Sequence, residues 1–316
     1  MIPAYNSTKL LESTLRSVLE QDPGPDRMQI AVVDDASPSP EAGRIVADVA
    51  PGRVEYHRGA TNVGLAANWN ACIDLSRGRW VHILHQDDLI LPGFYERLGR
   101  ADAARPDLVA AFCRYSWIDG DGRTLRVSDV ESDTPGVLEG WAARIAVEQR
   151  IQCPSIAVKR ATYEQVGGFR PDLRFTLDWE MWARVAFAGP VWYEPEMLAC
   201  WRQHDAGETG RLARSRSILP EIARGIDAIA ALAPEAERPA LLREATRRAR
   251  WWAEIEVGRL MGLGRPIEAL RAIMPTYRHE PAGVRLRAGL RYARWAAKVG
   301  LVGGGRRPEG PGTVPS

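Results

Sequence analysis

Trp80-Val81-His82-Ile83-Leu84 runs straight into His85-Gln86-Asp87-Asp88, a largely apolar stretch that stops at two adjacent carboxylates. A short apolar run bounded by polar residues reads as a buried strand whose C-terminal end opens into a loop. The pattern has a counterpart upstream, where residues 28–33 run into Asp34-Asp35-Ala36-Ser37. Residues 8–20 set Leu10, Leu11, Leu15, Val18 and Leu19 on one helical face, and residues 44–49 and 68–75 also read as helix. Residues 53–57 form a further short strand. Strands alternating with helices predict an α/β fold with a mostly parallel sheet and helices on both faces. Ligands of such sheets bind outside the carboxyl ends of the strands. Pro3-Ala4-Tyr5-Asn6, Asp34-Asp35 and Asp87-Asp88 are therefore expected to meet in one crevice. A first strand ought to precede Pro3, yet only Met1 and Ile2 stand there. That predicts a strand too short to build, a start placed too late or a trimmed chain, and a weakened site.

Beyond residue 106 the alternation fades. Residues 110–117 and 152–159 read as strands and 141–148 as a helix, and after Ser215 the pattern is helical throughout. The Gly/Pro-rich tail from Gly303 predicts disorder. The 316 residues, 45% hydrophobic and 26% charged, suit one large or two modest soluble domains. A net charge of +2 argues against nucleic acid as a bulk partner. Cys72, Cys113, Cys153 and Cys200 lack the spacing of a zinc or redox pair and read as free thiols in a reducing compartment. No stretch approaches the roughly 18 consecutive apolar residues of a membrane span. No signal segment is recognisable either, so a cytoplasmic protein is expected.

Adjacent carboxylates repel unless a cation sits between them. Asp87 and Asp88 suggest Mg2+ or Mn2+, which take hard oxygen ligands and bridge to phosphates. The alternative is a solvated turn or a helix cap, and Asp34-Asp35 admit the same alternative. Asp178, in Leu177-Asp178-Trp179-Glu180-Met181-Trp182, is flanked by tryptophans that would desolvate it and raise its basicity. It also fits the N-cap of a helix, and the local pattern leans that way. His204 is either a metal ligand or a surface histidine.

In series these pieces resemble glycosyltransferase family 2, whose members have the GT-A fold. The matching residues are Ile2-Pro3-Ala4-Tyr5-Asn6, Val32-Val33-Asp34-Asp35-Ala36-Ser37, Asn62-Val63-Gly64 with Asn70, and His85-Gln86-Asp87-Asp88 with Pro92. Gly167-Gly168-Phe169, Asp178-Trp179 and Arg202-Gln203-His204 follow in order. The resemblance implies an inverting transferase that takes its sugar from a nucleotide-sugar donor, with a Mn2+ or Mg2+ cofactor. Pro3 and Tyr5 would cradle the base, Asp35 would bond its ring with Asp34 in support, and Asn62, Gly64 and Asn70 would close on the donor. Asp87 would hold the metal with Asp88 beside it, Asp178 would be the catalytic base, and His204 a metal or diphosphate contact. His85 stands where the family has the first Asp of Asp-x-Asp, a residue that usually touches the donor ribose. The processive Gln-x-x-Arg-Trp motif is missing, which implies single addition.

The implied organisation is a GT-A domain over residues 1–205, with a nucleotide-sugar half (1–105) and an acceptor half (106–205). A helical region (206–302) and a disordered tail (303–316) follow. The acceptor would be a glycan or a lipid-linked molecule, and polysaccharide biosynthesis is the associated role. Between residues 285 and 307 every charged side chain is basic: Arg285, Arg287, Arg291, Arg294, Lys298, Arg306 and Arg307. Leu286, Leu290, Tyr292, Ala293, Trp295, Ala296, Val299 and Leu301 are interleaved with them. Such a segment suits either an anionic membrane surface, with Tyr and Trp at the interface, or a helix packed inward with its arginines in solvent. Two rival functions remain: a non-catalytic nucleotide- or carbohydrate-binding relative, and a nucleotidyltransferase, which lacks a Gly-rich basic triphosphate loop here.

Overall fold

The computed structural model describes residues 1–6, 10–204 and 218–301. The chain divides into two compact units, residues 1–145 with 149–216, and residues 146–148 with 217–316. The expected boundary at 205 and the expected disordered tail both lie outside the described residues.

The first unit opens with β1 (Ile2–Ala4), α1 (Leu10–Leu19), β2 (Ala31–Asp34), α2 (Glu41–Val49), β3 (Glu55–Arg58), α3 (Leu65–Leu75) and β4 (Trp80–His82). Strands β1, β2 and β3 pair in parallel, with Ala4 opposite Asp34 and Asp34 opposite Arg58. Their carboxyl ends are therefore level, and the loops that follow them start from one edge. All four residues of β2 are buried, as expected for a strand covered on both faces. The helices cover it with Leu11, Leu15 and Val18 of α1 and Ala42, Ile45 and Val46 of α2.

A first strand does form, short as it is. Ile2, Pro3 and Ala4 pair with β2, and the amino group of Met1 donates to the Ile83-flanking carbonyl of His82 at 2.9 Å. Leu84 N returns a bond to Met1 O at 3.0 Å. These two bonds join β1 to the segment that leads into His85.

The rest of the unit holds β5 (Leu89–Ile90), α4 (Phe94–Ala104), β6 (Ala110–Ile118), β7 (Thr124–Val127), β8 (Gly136–Val137), α5 (Trp141–Val147), β9 (Ile156–Lys159), α6 (Arg160–Val166), α7 (Leu177–Ala188) and β10 (Val191–Arg202). The strand order is β4-β9-β6-β10-β5, with β7 on β6 and β8 on β10. Here the expected mostly parallel sheet needs correction: β6 and β10 are parallel, and the other pairings are antiparallel. The mixed α/β architecture itself is as expected. Of the antiparallel pairs only β6 and β7 are joined by a short turn; the others bring together strands far apart in the sequence. The 12-residue β10 shifts register between Glu194 and Met197 and again before Ala199, and delivers Arg202 beside the β4 loop.

The second unit comprises α8 (Ile218–Ala230), α9 (Arg238–Gly262), α10 (Pro266–Ile273) and α11 (Ala282–Leu301). Its core gathers Ala253, Val257, Leu260, Ile273, Tyr277 and Tyr292. The Arg250 guanidinium lies 3.8 Å from the Tyr277 ring centroid, and Arg291 donates to the Tyr277 hydroxyl at 3.0 Å. The two aromatic residues of α11 do not face outward: Tyr292 is buried and Trp295 packs against the same core. Among the described residues no helix is long and apolar enough to cross a membrane.

Candidate active site

The loop after β4 carries the densest chemistry. Asp88 is 1% exposed; its Oδ1 accepts from Arg202 N at 2.8 Å, and its main-chain carbonyl accepts from Thr14 Oγ1 at 2.8 Å. Oδ2 of Asp88 is buried with no hydrogen-bond partner, and so is Nε2 of His85. His85 Nδ1 stands 3.4 Å from that orphaned oxygen, and its ring lies 4.6 Å from the Trp69 ring. Burial pushes the Asp88 carboxyl up to about 6. At His85 burial acts downward, but Cys153 and Asp88 outweigh it and hold the imidazole well above its ordinary range. Asp87 is less enclosed; its Oδ2 lies 2.8 Å from His204 Nε2, a bond that raises the His204 pKa. Donor atoms of His85, Asp87 and Asp88 all lie within 4.8 Å of one another. The Asp88 oxygen, buried without a hydrogen bond and 3.4 Å from His85 Nδ1, and the neighbouring Asp87 carboxylate suit a cation, since buried negative charge carries a desolvation cost that coordination removes.

Gln86, to which the motif assigns no role, exchanges two hydrogen bonds with the main chain of Tyr5, at 3.2 and 2.8 Å. It ties the β4 loop to the β1 loop and leaves Tyr5 itself 40% exposed, next to Pro3. Arg202 has no role assigned by its motif either. Its Nε donates to Asp87 O and its Nη1 to the carbonyls of Asp119 and Gly120, at 2.8, 3.0 and 3.0 Å. Its position directly before Gln203-His204 was the available signal.

The Asp34-Asp35 pair at the end of β2 is bound quite differently. Asp34 is 0% exposed: Oδ1 accepts from Ser37 N and Oγ at 3.0 and 2.5 Å, and Oδ2 from Tyr56 and Arg58 at 2.6 and 3.1 Å. Asp35 accepts from Val63 N at 2.7 Å and Gly64 N at 2.9 Å, while Asn62 Nδ2 donates to its carbonyl at 3.2 Å. Asp35 therefore organises the entry to α3, where Gly64 takes φ +87°. Ala36 and Asn6 both take positive φ, and Asn6 N donates to Ser37 Oγ at 2.9 Å. Strained non-glycine residues at two facing strand ends are a common mark of a functional edge.

Asp178 is the second residue of α7, and Thr176 holds the N-cap position, so the N-cap expectation for Asp178 is corrected. Its Oδ1 accepts from Trp179 N at 2.8 Å, and burial pushes its carboxyl up to about 6. A clamp holds the turn between α6 and α7. Asn70 donates to Phe169 O at 2.9 Å and accepts from Phe169 N at 2.6 Å. Arg184 donates to the carbonyls of Val166, Gly167 and Gly168 and is itself held by buried Glu180 at 2.8 Å. A Cβ on Gly168 would stand 2.5 Å from Asn70 Oδ1, so only glycine fits there. The amide of Asn70, expected to close on a donor, is thus occupied by the turn that precedes Asp178.

A family model described as glycosyl transferase family 2 matches residues 1–165. The uncharacterized protein MT1568 of Mycobacterium tuberculosis (strain CDC 1551 / Oshkosh) is 30% identical over 233 residues, 69% of this chain and 71% of that one. The succinoglycan biosynthesis protein ExoO of Rhizobium meliloti (strain 1021) is 32% identical over 128 residues, 40% of this chain and 35% of that protein. Among solved structures, S. aureus TarS 1–349 in complex with UDP-GlcNAc superposes with a TM-score of 0.68 at 15% identity, over 95% of this chain and 89% of that one. The mannosyltransferase PcManGT from Pyrobaculum calidifontis, in complex with GDP-Man and Mn2+, gives 0.55 at 19% identity, over 94% and 82%. At these identities the structural likeness shows the GT-A fold.

Proposed function

Because the chain belongs to glycosyl transferase family 2, we propose that it moves a hexosyl or deoxyhexosyl group from a nucleotide-diphosphate sugar to a hydroxyl of a glycan or lipid-linked acceptor, inverting the anomeric carbon. The observation that supports this reading is the cluster of His85, Asp87 and the buried Asp88, whose Oδ2 makes no hydrogen bond, at the strand edge where the β1 and β2 loops meet. Pro3 and Tyr5 face the nucleotide base, with Asp34 and Asp35 holding the loop that carries Asn62 and Gly64. Asp87 and Asp88, with His85 or His204, would hold Mn2+ or Mg2+, which when bound offsets the charge developing on the departing diphosphate. A mixed imidazole and carboxylate set suits Mn2+ better than Mg2+.

Asp178 takes the proton of the acceptor hydroxyl as that oxygen bonds to the anomeric carbon and the bond to the diphosphate oxygen breaks. A carboxyl at about 6 is ionised at neutral pH and more basic than an ordinary aspartate, which favours proton abstraction. The clamp of Asn70 and Arg184 fixes the approach to α7, and so the direction of that carboxylate. Residues 1–105 would serve the donor and 106–205 the acceptor. A role in polysaccharide assembly is supported by the match to a protein named for succinoglycan biosynthesis.

The test is nucleoside diphosphate release from UDP-, GDP-, dTDP- and CDP-sugars with Mn2+, followed by NMR of the product. Turnover of one donor with inverted configuration is expected. A retained configuration would remove the single-displacement mechanism, and donor binding without turnover on any acceptor would favour a binding relative.

A further inference from the structure

The two units differ sharply in charge. Residues 217–316 hold 17 basic and 10 acidic side chains, whereas residues 1–216 hold 25 and 30, and moving Glu148 to the second unit leaves that unit positive and the first negative. Helix α11 concentrates that excess. It contains no acidic residue, and two rows run along it side by side. Leu286, Leu290, Ala293 and Ala297 recur at helical spacing and are all exposed, with Leu286 at 65% and Leu290 at 49%. Arg287, Arg291, Arg294 and Lys298, each one position further on, form an equally exposed basic row. The opposite face packs inward through Ala288, Tyr292 and Trp295.

An exposed leucine stripe bordered by a basic row is the reverse of an ordinary solvated helix face, which would be polar throughout. We infer that α11 is an interfacial helix that lays Leu286 and Leu290 into an anionic phospholipid bilayer while Arg287, Arg294 and Lys298 meet its headgroups. Apolar burial and charge attraction then act on the same face. Nucleic acid fits this face poorly, because the phosphate-facing row would hold leucines off water without burying them. A second copy of the chain fits poorly too, since α11 against α11 brings like-charged rows together. The inference rests on the second unit alone and does not depend on the transfer reaction.

The full chain is floated without any donor on phosphatidylcholine vesicles with and without phosphatidylglycerol. Binding to the anionic vesicles only, weakened by salt, is expected. The Arg287→Gln/Arg294→Gln/Lys298→Gln variant should bind about a hundredfold more weakly, at about fivefold per basic residue. Leu286→Gln/Leu290→Gln should bind more weakly as well. These side chains are exposed, and circular dichroism checks that both variants fold. Equal binding to neutral vesicles, no binding, or wild-type binding by the leucine variant would overturn the inference. So would a dimer in sedimentation velocity that the leucine changes dissociate.

Discussion

Asp34-Asp35 and Asp87-Asp88 are the same dipeptide after the same kind of apolar strand, yet they have opposite fates. Four hydrogen bonds saturate Asp34, and two main-chain amides fill Asp35. Asp88 keeps one buried oxygen that makes no hydrogen bond and faces His85 Nδ1 at 3.4 Å. Hydrogen bonds hold the first pair as turn and helix-entry groups, whereas the second is the pair proposed to hold a cation.

The comparison can be broken at several points. The largest expected effect lies at the base rather than at either pair: Asp178→Asn should lower turnover by about 10²- to 10⁴-fold while leaving the fold intact, as read by steady-state kinetics and circular dichroism. Unchanged turnover would move the base elsewhere. Next comes pH. Folding raises the Asp178 pKa from 3.8 to about 6, and the active form is the ionised one. The rate should therefore be level above that value and fall by about tenfold per unit below it. A profile flat down to pH 5 would contradict the assignment.

Stability separates the two pairs most directly. Asp34→Ala strands Ser37, Tyr56 and Arg58 and should cost about 3 kcal/mol in urea denaturation. Asp88→Asn keeps an acceptor for Arg202 N and removes a buried charge, so the metal-free variant should stay within about 1 kcal/mol of wild type. The sign of the pH dependence follows: an acid raised by burial costs stability as pH climbs from its unfolded value through about 6, and Asp88→Asn should lack that loss. Equal losses in both variants would erase the distinction.

Much of the donor half was legible because its signals are local. The 3.6-residue spacing of Leu11, Leu15 and Val18 and the apolar run of β2 each read from a few neighbours. β10 was not legible: Glu194, Pro195 and Glu196 interrupt its pattern, and its pairing survives through register shifts that only the neighbouring strands define. β1 was hard to read because it pairs with β2 over three residues only, too few to leave a pattern. In the site, residue types were readable but partners were not. Nothing in the sequence distinguishes Asn70, whose partner stands 99 residues away, from a donor ligand. In α11 the composition was plain, but Tyr292 and Trp295 turn inward, which only packing against Tyr277 and its neighbours decides.

The central claim is that Asp87 and Asp88 form the cation site and that Asp34 and Asp35 are structural. It is tested most directly by thermal shift with nucleotide diphosphate sugars, with and without Mn2+, on wild type, Asp88→Asn and Asp34→Ala. The account predicts a Mn2+-dependent stabilisation by one nucleotide class that vanishes in Asp88→Asn and persists, from a lower starting midpoint, in Asp34→Ala. A Mn2+-dependent shift that survives in Asp88→Asn, or no shift with any donor, would contradict it.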